Sequence, residues 1–485
     1  MERMKIYFRG IPVALSALFL FNGCSLAPHY RTPLVETASS YKEAGDWKVA
    51  QPRDTAIKGK WWELLEDPEL NKLEEEVNIS NQNIALASAN FRLARAVVRE
   101  AWSQFLPSLS VSPSVTYSRP SASVSSGSSG TRPESVRTST VYSLPFDASY
   151  EVDLWGRVRN TVSADVSEAQ ATAADLQNTR LTVCAEVAVD YFQIHALDTQ
   201  IEILTETVVA FQKSLDLTET RRRTGIASDE DVAQAQTQLE TAKAQKTDLG
   251  IQRAQFEHAI AVLTGKSPSS FSVPSVTMNE KVPSIPASVP SELLERRPDV
   301  AAAERRVAEA NARIGAARAA FFPVVSLGGT AGFSSNSTGN WFTWPSRFWS
   351  LGPTVAQTLF DAGKSFAVAE QAQASYDAAV ADYRQTVLTA FQQVEDNLAA
   401  ARMLSQETEE QQNAVKASER FLELANHRYQ LGIDNYLNVI TAQSALLTNQ
   451  RNAVNIRMQR VIASIQLIKS LGGGWDAARD KAVSG

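Results

Sequence analysis

Twice along this chain the spacing of apolar residues switches from every three or four positions to strict alternation, and then switches back. That repeated switch constrains the fold more than any other feature. In the first half Leu109, Val111, Val115 and Tyr117 share one face, while Ser110, Ser112, Ser114, Thr116 and Ser118 share the other. A Ser/Gly-rich stretch, Pro120 to Thr138, reads as a loop. Alternation then returns: Tyr142, Leu144, Phe146, Ala148, Tyr150, Val152 and Leu154 oppose Ser143, Asp147, Ser149, Glu151 and Asp153. In the second half Val325, Leu327, Gly329, Ala331 and Phe333 alternate with small polar residues. Trp349, Leu351, Val355 and Leu359 do so again after a loop holding Trp341, Phe342 and Trp344. A two-residue period places side chains on opposite faces of a strand. The expected strands are therefore about 107–118, 140–154, 323–334 and 348–360.

Long helical sequence surrounds each strand pair. A helix is expected from Trp61-Trp62, with Asp67-Pro68-Glu69 as a start signal, to about Gln104. From Trp155-Gly156-Arg157 to Thr224 the sequence stays helical for about 67 residues, roughly 100 Å of helix. Gly225-Ile226-Ala227-Ser228-Asp229 breaks it. A second helix runs to Leu263, where Gly265 and Pro268 close it. After the Pro/Ser-rich segment to Pro290 the plan repeats: helix from Ser291 to Ala320, strands, helix from after Gly363 to about Leu431, a break at Gly432-Ile433-Asp434-Asn435, and a last helix to Leu471. Phe105-Leu106-Pro107 corresponds to Phe321-Phe322-Pro323. Arg221-x-x-x-Gly225-Ile226, with Val232, Ala235-Gln236 and Leu239, corresponds to Arg428-x-x-x-Gly432-Ile433, with Val439, Ala442-Gln443 and Leu446. The organisation is an arm at 24–60, a first repeat at 61–290 with a lateral linker, a second repeat at 291–471 and a tail at 472–485.

The strands suit a membrane. They are long enough to cross a bilayer when tilted, and Tyr117, Tyr142, Trp155, Trp341, Phe342, Trp344, Phe348, Trp349 and Phe360 cluster near their ends, where an aromatic girdle would sit. One face is apolar; the other is Ser, Thr, Gly and a few acids, as in a wet lumen. Yet four strands cannot close a barrel, and an open edge in lipid leaves backbone groups unpaired at several kcal/mol each. The barrel must be shared between copies. Three copies supply twelve strands; two supply eight, which is narrow for a conduit. The long helices then continue the tube. Ala169, Ala171, Ala173 and Ala174, with Ala369, Ala372, Ala374, Ala378 and Ala379, permit close packing, although alanine also favours any helix. Leucine heptads of a two-stranded coiled coil are absent.

The chain opens with Arg3, Lys5 and Arg9, an apolar run from Ile11 to Phe21, and then Asn22-Gly23-Cys24-Ser25. This is a secretory signal, its core too short to span a bilayer comfortably. Cys24 sits where a lipoprotein signal would be cut and acylated, with residues 1–23 removed. The absence of Asp after Cys24 permits sorting to the outer membrane of a Gram-negative cell. No later run is apolar enough for a transmembrane helix.

Composition closes off other classes. The net charge is −6, against general nucleic-acid binding. Two cysteines, Cys24 and Cys184, and four scattered histidines exclude a disulfide scaffold and argue against a structural zinc site. Cys184, among Val183, Val187 and Ala188, reads as a small buried residue rather than a nucleophile. Thr264-Gly265-Lys266-Ser267 imitates the end of a phosphate loop, but Ile260 stands where the first glycine belongs and a helix precedes it instead of a strand. The histidines have no Asp, Ser or Cys partner at a meaningful spacing, so a hydrolase is unsupported. Few methionines make a methionine-lined copper path unattractive. No metal or cofactor is expected.

The residues that carry a family resemblance are specific. They are Leu294-Glu295-Arg296-Arg297-Pro298-Asp299 with Ala303-Glu304, Ala310, Ile314-Gly315, Ala317 and Phe322-Pro323; Cys24-Ser25-Leu26-Ala27-Pro28-His29-Tyr30 and Pro33; Tyr150-Glu151-Val152-Asp153-Leu154-Trp155-Gly156-Arg157; and Trp61-Trp62 with Asp67-Pro68 and Leu70. In these, over residues 24 to 474, the chain resembles the outer membrane factors, the TolC-like, NodT-type lipoproteins of tripartite efflux systems. The resemblance implies a mixed fold, all-alpha plus a membrane beta-barrel. It implies a homotrimer with a shared twelve-stranded barrel and a long periplasmic alpha-helical barrel, lipid-anchored in the outer membrane. It implies docking of a periplasmic adaptor and an inner-membrane pump, usually proton-driven, and no catalytic activity. The function expected is a passive exit duct for toxic compounds or drugs. The alternative is a channel for secretion of peptides or export of envelope polymers.

The resemblance also places the periplasmic tip and aperture at the two turns. The residues concerned are Gly225, Asp229, Glu230 and Asp231 in the first half, and Gly432, Asp434, Tyr436, Leu437 and Thr441 in the second. The acids could form a ring at the pore mouth, three copies of each; N-capping and helix-dipole compensation explain Asp229 and Asp434 as well. Related factors often carry Asp and Arg in the segment matching Ile440 to Ser444. Thr441 and Ser444 stand there in this chain, so that charged gate is not carried over. Tyr436 reads either as a tip-lining residue or as a packed aromatic. Asp147, Glu151 and Asp153 are expected in the barrel lumen, biasing it against anions or simply keeping a wet wall soluble.

Overall fold

The computed structural model describes residues 25–35, 41–44, 60–119, 121, 138–278 and 297–473. The signal segment, Cys24, Leu294-Glu295-Arg296, most of the arm and of the segment before residue 297, and the tail from residue 474 lie outside the described residues. The elements in chain order are α1 (Pro68–Ser80), α2 (Gln82–Ser103), β1 (Ser108–Val111), β2 (Ser114–Ser118), β3 (Ser139–Val152), α3 (Arg157–Arg223), α4 (Asp229–Leu263), α5 (Pro298–Ala319), β4 (Val324–Ser335), β5 (Arg347–Ala356), α6 (Lys364–Gln430) and α7 (Tyr436–Ser470). The chain divides into two compact units. One comprises Met1–Pro33, Arg92–Ala171 and Glu304–Asp382; the other comprises Leu34–Phe91, Thr172–Ala303 and Tyr383–Gly485.

The first unit holds one antiparallel sheet. β1 and β2 both pair with β3, β3 pairs with β4, and β4 pairs with β5. The register places Leu109 opposite Ala148, Val111 opposite Phe146, Tyr150 opposite Leu327 and Ala331 opposite Trp349. The apolar residues of the alternating segments thus form one continuous face across every strand. Asp147 opposite Thr330 and Glu151 opposite Ser326 lie on the other. The strand expected over 107–118 is broken in two. Opposite Ser112-Pro113 the partner strand carries Pro145, and prolines lack the N–H the ladder needs; only the Ser112 amide bonds across, to the Pro145 carbonyl at 3.3 Å. The strand expected to reach residue 360 ends at Ala356. Asp361 takes the amides of Gly363 and Ser365, and Ala362 and Gly363 have φ of 55° and 86°, which turns the chain out of the ladder and into α6.

At the strand-to-helix crossing Asp153 accepts from the backbone of Val158 and Arg159, at 3.1 and 2.9 Å, and pairs with the Arg159 guanidinium. Glu151 holds Arg157 through two parallel hydrogen bonds of 2.8 and 2.6 Å. Trp155 stacks on Phe322 and donates to the Pro323 carbonyl at 2.8 Å. The start of the described chain is strapped to α3 and α5. Ser25 donates to Asn160, Asn311 donates to the Pro28 carbonyl, and Tyr30 donates to Glu304. Gly315 makes this approach possible, since a Cβ there would meet Ala27 Cβ at 2.6 Å and Asn160 Nδ2 at 2.5 Å.

The second unit is helical. The helix expected from residue 61 to 104 is a 3-10 turn at Trp61–Leu65, then α1, then α2. Asn81 makes the break. Its Oδ1 accepts from the amides of Asn83 and Ile84, starting α2, and its Nδ2 donates to the Leu263 carbonyl at the end of α4. Asp67 caps α1 and also accepts from the Tyr191 hydroxyl. Arg253, half-buried, and Asp198, buried, form an ion pair at 2.6 Å. Arg253 Nη2 also donates to the Val273 carbonyl, and Asp198 accepts from the Val276 amide, so the pair pins the segment after α4. Arg297 is buried with its charge answered by Asp299, and it donates to the last turn of α7 at the Ser470 carbonyl, 3.1 Å away. One apolar core, including Leu204, Phe211, Leu239, Leu249, Tyr436 and Ala442, joins α3, α4, α6 and α7.

Candidate functional site

The residues singled out in the sequence fall at two places, and each lies within one unit. The first is the pair of helix turns in the helical unit. Residues 207 apart correspond between them: Arg221 with Arg428, Gly225 with Gly432, Ile226 with Ile433. Gly225 has φ of 75° and Gly432 of 73°. In each turn the glycine amide bonds three residues back and the following isoleucine amide bonds five residues back: to Arg222 and Arg221 in the first, and to Tyr429 and Arg428 in the second. This is the left-handed cap that satisfies the last carbonyls of a helix and favours glycine.

The acids at these turns do not share one role. Asp231 closes a capping box: the Ser228 side chain accepts from the Asp231 amide, and the Asp231 carboxylate accepts from the Ser228 amide at 2.9 Å. Asp229 pairs with Arg222, and Asp434 with Arg428 at 2.7 Å. Glu230 stays exposed and accepts from Gln234. Tyr436 is 3% exposed, its ring 5.3 Å from that of Tyr429; within the chain it is a packed aromatic. Thr441 donates to the Leu437 carbonyl of its own helix. Leu437 is exposed, as are Ile226, Leu431 and Ile433.

Arg221 had been no more than a repeat marker in the sequence. Its guanidinium crosses to the end of α6, donating to the carbonyls of Tyr429 at 3.0 Å and Gln430 at 3.1 Å while lying over the Tyr429 ring. It caps a neighbouring helix and so clasps the two turns together. The recurrence of arginine four residues before each glycine was the visible signal. Its direction was not, because Arg428 turns instead to Asp434.

The second place is the polar face of the sheet. Asp147 accepts from Thr330 at 2.6 Å within that face. Glu151 is neutralised by Arg157. Asp153 lies one residue past β3 and serves the start of α3. Of the three acids expected to face a lumen, Asp147 alone is on the strand and free of a basic partner among the described residues.

A third feature was not legible as a site. Glu74 on α1 is fully buried, and no nitrogen or oxygen reaches either carboxylate oxygen among the described residues. Its neighbour is the Cys184 thiol, which also accepts from Asn78 Nδ2 at 3.7 Å. Burial pushes the Glu74 carboxyl up to about 8, and burial beside Glu74 raises the thiol. Cys184 is therefore a protonated, inaccessible core residue. Among the described residues no group of three or more His, Cys, Asp or Glu could hold a metal ion, and no helix is long and apolar enough to cross a membrane.

Comparison with known proteins agrees over nearly the whole chain. The family model described as outer membrane efflux protein matches residues 73–266 and 289–473. The toluene efflux pump outer membrane protein TtgC of Pseudomonas putida is 32% identical over 461 residues, 94% of each chain. Outer membrane protein OprJ of Pseudomonas aeruginosa is 33% identical over 476 residues, 98% of each chain. Among solved structures, the outer-membrane channel OprN superposes with a TM-score of 0.86 at 28% identity, covering 93% of this chain and all of that one.

Proposed function

Because the chain belongs to the outer membrane efflux protein family, we propose that three copies assemble into one conduit and that each contributes four strand positions to a closed barrel. The chain has the outer membrane factor fold, and it is the outer-membrane duct of an efflux system in a Gram-negative envelope, reaching into the periplasm. The family is one of transport channels. The observation that carries the three-copy reading is the sheet. It has one largely apolar face and two outer strand positions, β1/β2 and β5, whose free edges have no partner among the described residues. In lipid such edges must be paired, and pairing edge to edge closes a ring only with further copies.

On this reading the polar face lines the barrel, with Asp147 on its wall. The turns bearing Gly225 and Gly432 form the periplasmic tip. Asp229, Glu230, Asp231 and Asp434 ring its mouth, and Leu437 and Thr441 lie beside the aperture. Tyr436 supports the tip from within the core. The exposed Ile226, Leu431 and Ile433 offer a periplasmic adaptor apolar contact, and the adaptor links the duct to a proton-driven inner-membrane pump. Acylated Cys24 anchors each copy. The duct conducts small toxic organic compounds, the class to which the toluene and antibiotics named for relatives belong, and it performs no catalytic step.

Single-particle imaging of the detergent-extracted protein tests this. A threefold tube with a closed barrel is expected. A monomer, or a particle of any other symmetry, would overturn the shared-barrel reading.

A further inference from the structure

The outward face of the sheet is not apolar throughout. Arg347 opens β5 directly opposite Phe333 in the register, so its side chain shares the face of Leu327, Ala331, Trp349 and Leu351. It stands at the hairpin end of β4 and β5, away from the ends that lead into α5 and α6. Its guanidinium lies 3.6 Å from the Trp344 ring centroid and 5.9 Å from that of Phe333. It is exposed, and no carboxylate pairs with it among the described residues. From residue 336 to residue 347 the sequence has no acid to answer it.

Arg119 repeats the arrangement at the other outer strand. It follows β2, where Val115 and Tyr117 occupy the apolar face, and the alternation puts residue 119 on that face too. It is exposed with no acidic partner among the described residues. Two cations on a surface that otherwise meets hydrocarbon need an anion. Aromatic rings hold the Arg347 guanidinium at the level where an aromatic girdle marks the lipid head groups.

We infer that Arg347 and Arg119 form an outer-rim binding site for the phosphate of an outer-leaflet glycolipid, whose acyl chains lie along the apolar face of the sheet. A guanidinium matches a phosphate with paired donors, and it does so best where water is scarce. Edge pairing in a shared barrel sets β5 of one copy beside β1 and β2 of the next. Each junction between copies then receives both arginines, and the glycolipid bridges them. This rests on the membrane-barrel reading above.

The test uses the full-length protein reconstituted into nanodiscs and probed with diphosphorylated lipid A and with the same lipid after phosphatase treatment. Bound lipid is counted by native mass spectrometry. Wild type is expected to retain the phosphorylated form preferentially, with retention falling about fivefold for each arginine replaced in R347Q and R119Q/R347Q. Equal retention of the two lipids by wild type, or unchanged selectivity in the double variant, would overturn the inference. If the double variant fails to assemble, the wild-type comparison of the two lipids decides alone. Failure of the wild-type chain to enter a bilayer would refute the membrane reading itself; entry without head-group selectivity refutes only the glycolipid site.

Discussion

Glu74 makes the fold of the helical unit lose stability as pH rises from 4.5 to about 8. Its carboxyl is raised from the ordinary 4.5 to about 8, first of all by burial. Between those values the unfolded chain has released the proton and the folded chain keeps it. The unfolded state therefore binds fewer protons, and stability falls as pH rises, by about 1.4 kcal/mol per pH step. At pH 7 the accumulated loss is about 3 kcal/mol, and it levels off above pH 8. Glu74→Gln keeps the shape and cannot ionise. Its melting midpoint, measured at one scan rate in one detergent, should match wild type near pH 4.5 and lie about 3–6 °C above it at pH 7 for a chain of this size. Asp190, which burial lifts to about 6, adds its own slope below pH 6 in both proteins, so the diagnostic is the gap between them. Identical midpoints for the two proteins at pH 5 and at pH 8 would refute the claim that Glu74 is buried and protonated.

Other expectations follow from the same contacts. Arg221→Ala removes two donors to the end of α6 and a cation–π contact, about 2 kcal/mol together; on the proposed tip reading its conductance in planar bilayers should rise, whereas a wild-type level would refute a role for the clasp in the aperture. Gly315→Ala should push the 25–30 segment off α5, read as faster hydrogen exchange at Ala27 with the helical unit unchanged; unchanged protection would mean the strap tolerates the methyl. Gly432→Ala meets no neighbouring atom, so its cost is the left-handed backbone alone, about 1 kcal/mol, and a drop in melting midpoint beyond a few degrees would require another cause.

Much of this molecule was legible because it is periodic. The alternation runs along the described strands and sorts their two faces, since a strand that must present one face to lipid and one to water has little freedom in its pattern. The long helices were equally plain between their glycine turns. Legibility failed where a single side chain overrode the period. The Asn81 amide divides one expected helix into two, and the helical spacing on either side gives no sign of it. Pro113 and Pro145 interrupt a strand only because the register sets them near each other, and that register is long-range. The site suffered more. Asp153 reads as a lumen acid by parity, but the strand stops one residue earlier and the carboxylate turns to the start of α3. Arg221 and Arg428 are equivalent in sequence and opposite in use, a difference settled by the chance placing of Asp434 and of the α6 carbonyls. Glu74 sits in an acidic stretch, Glu74-Glu75-Glu76, in which only burial tells the first from the others.

The unpaired outer strands have a genetic consequence. If every barrel draws its closure from three neighbours, a variant that folds but offers one faulty edge spoils each assembly it joins. Made in equal amount with the normal chain and mixing at random, it leaves about one assembly in eight wholly normal. Lesions at β1, β2 or β5 should therefore be dominant. Lesions that prevent a copy from folding at all should be recessive, because they withdraw the chain before it can be counted among the three.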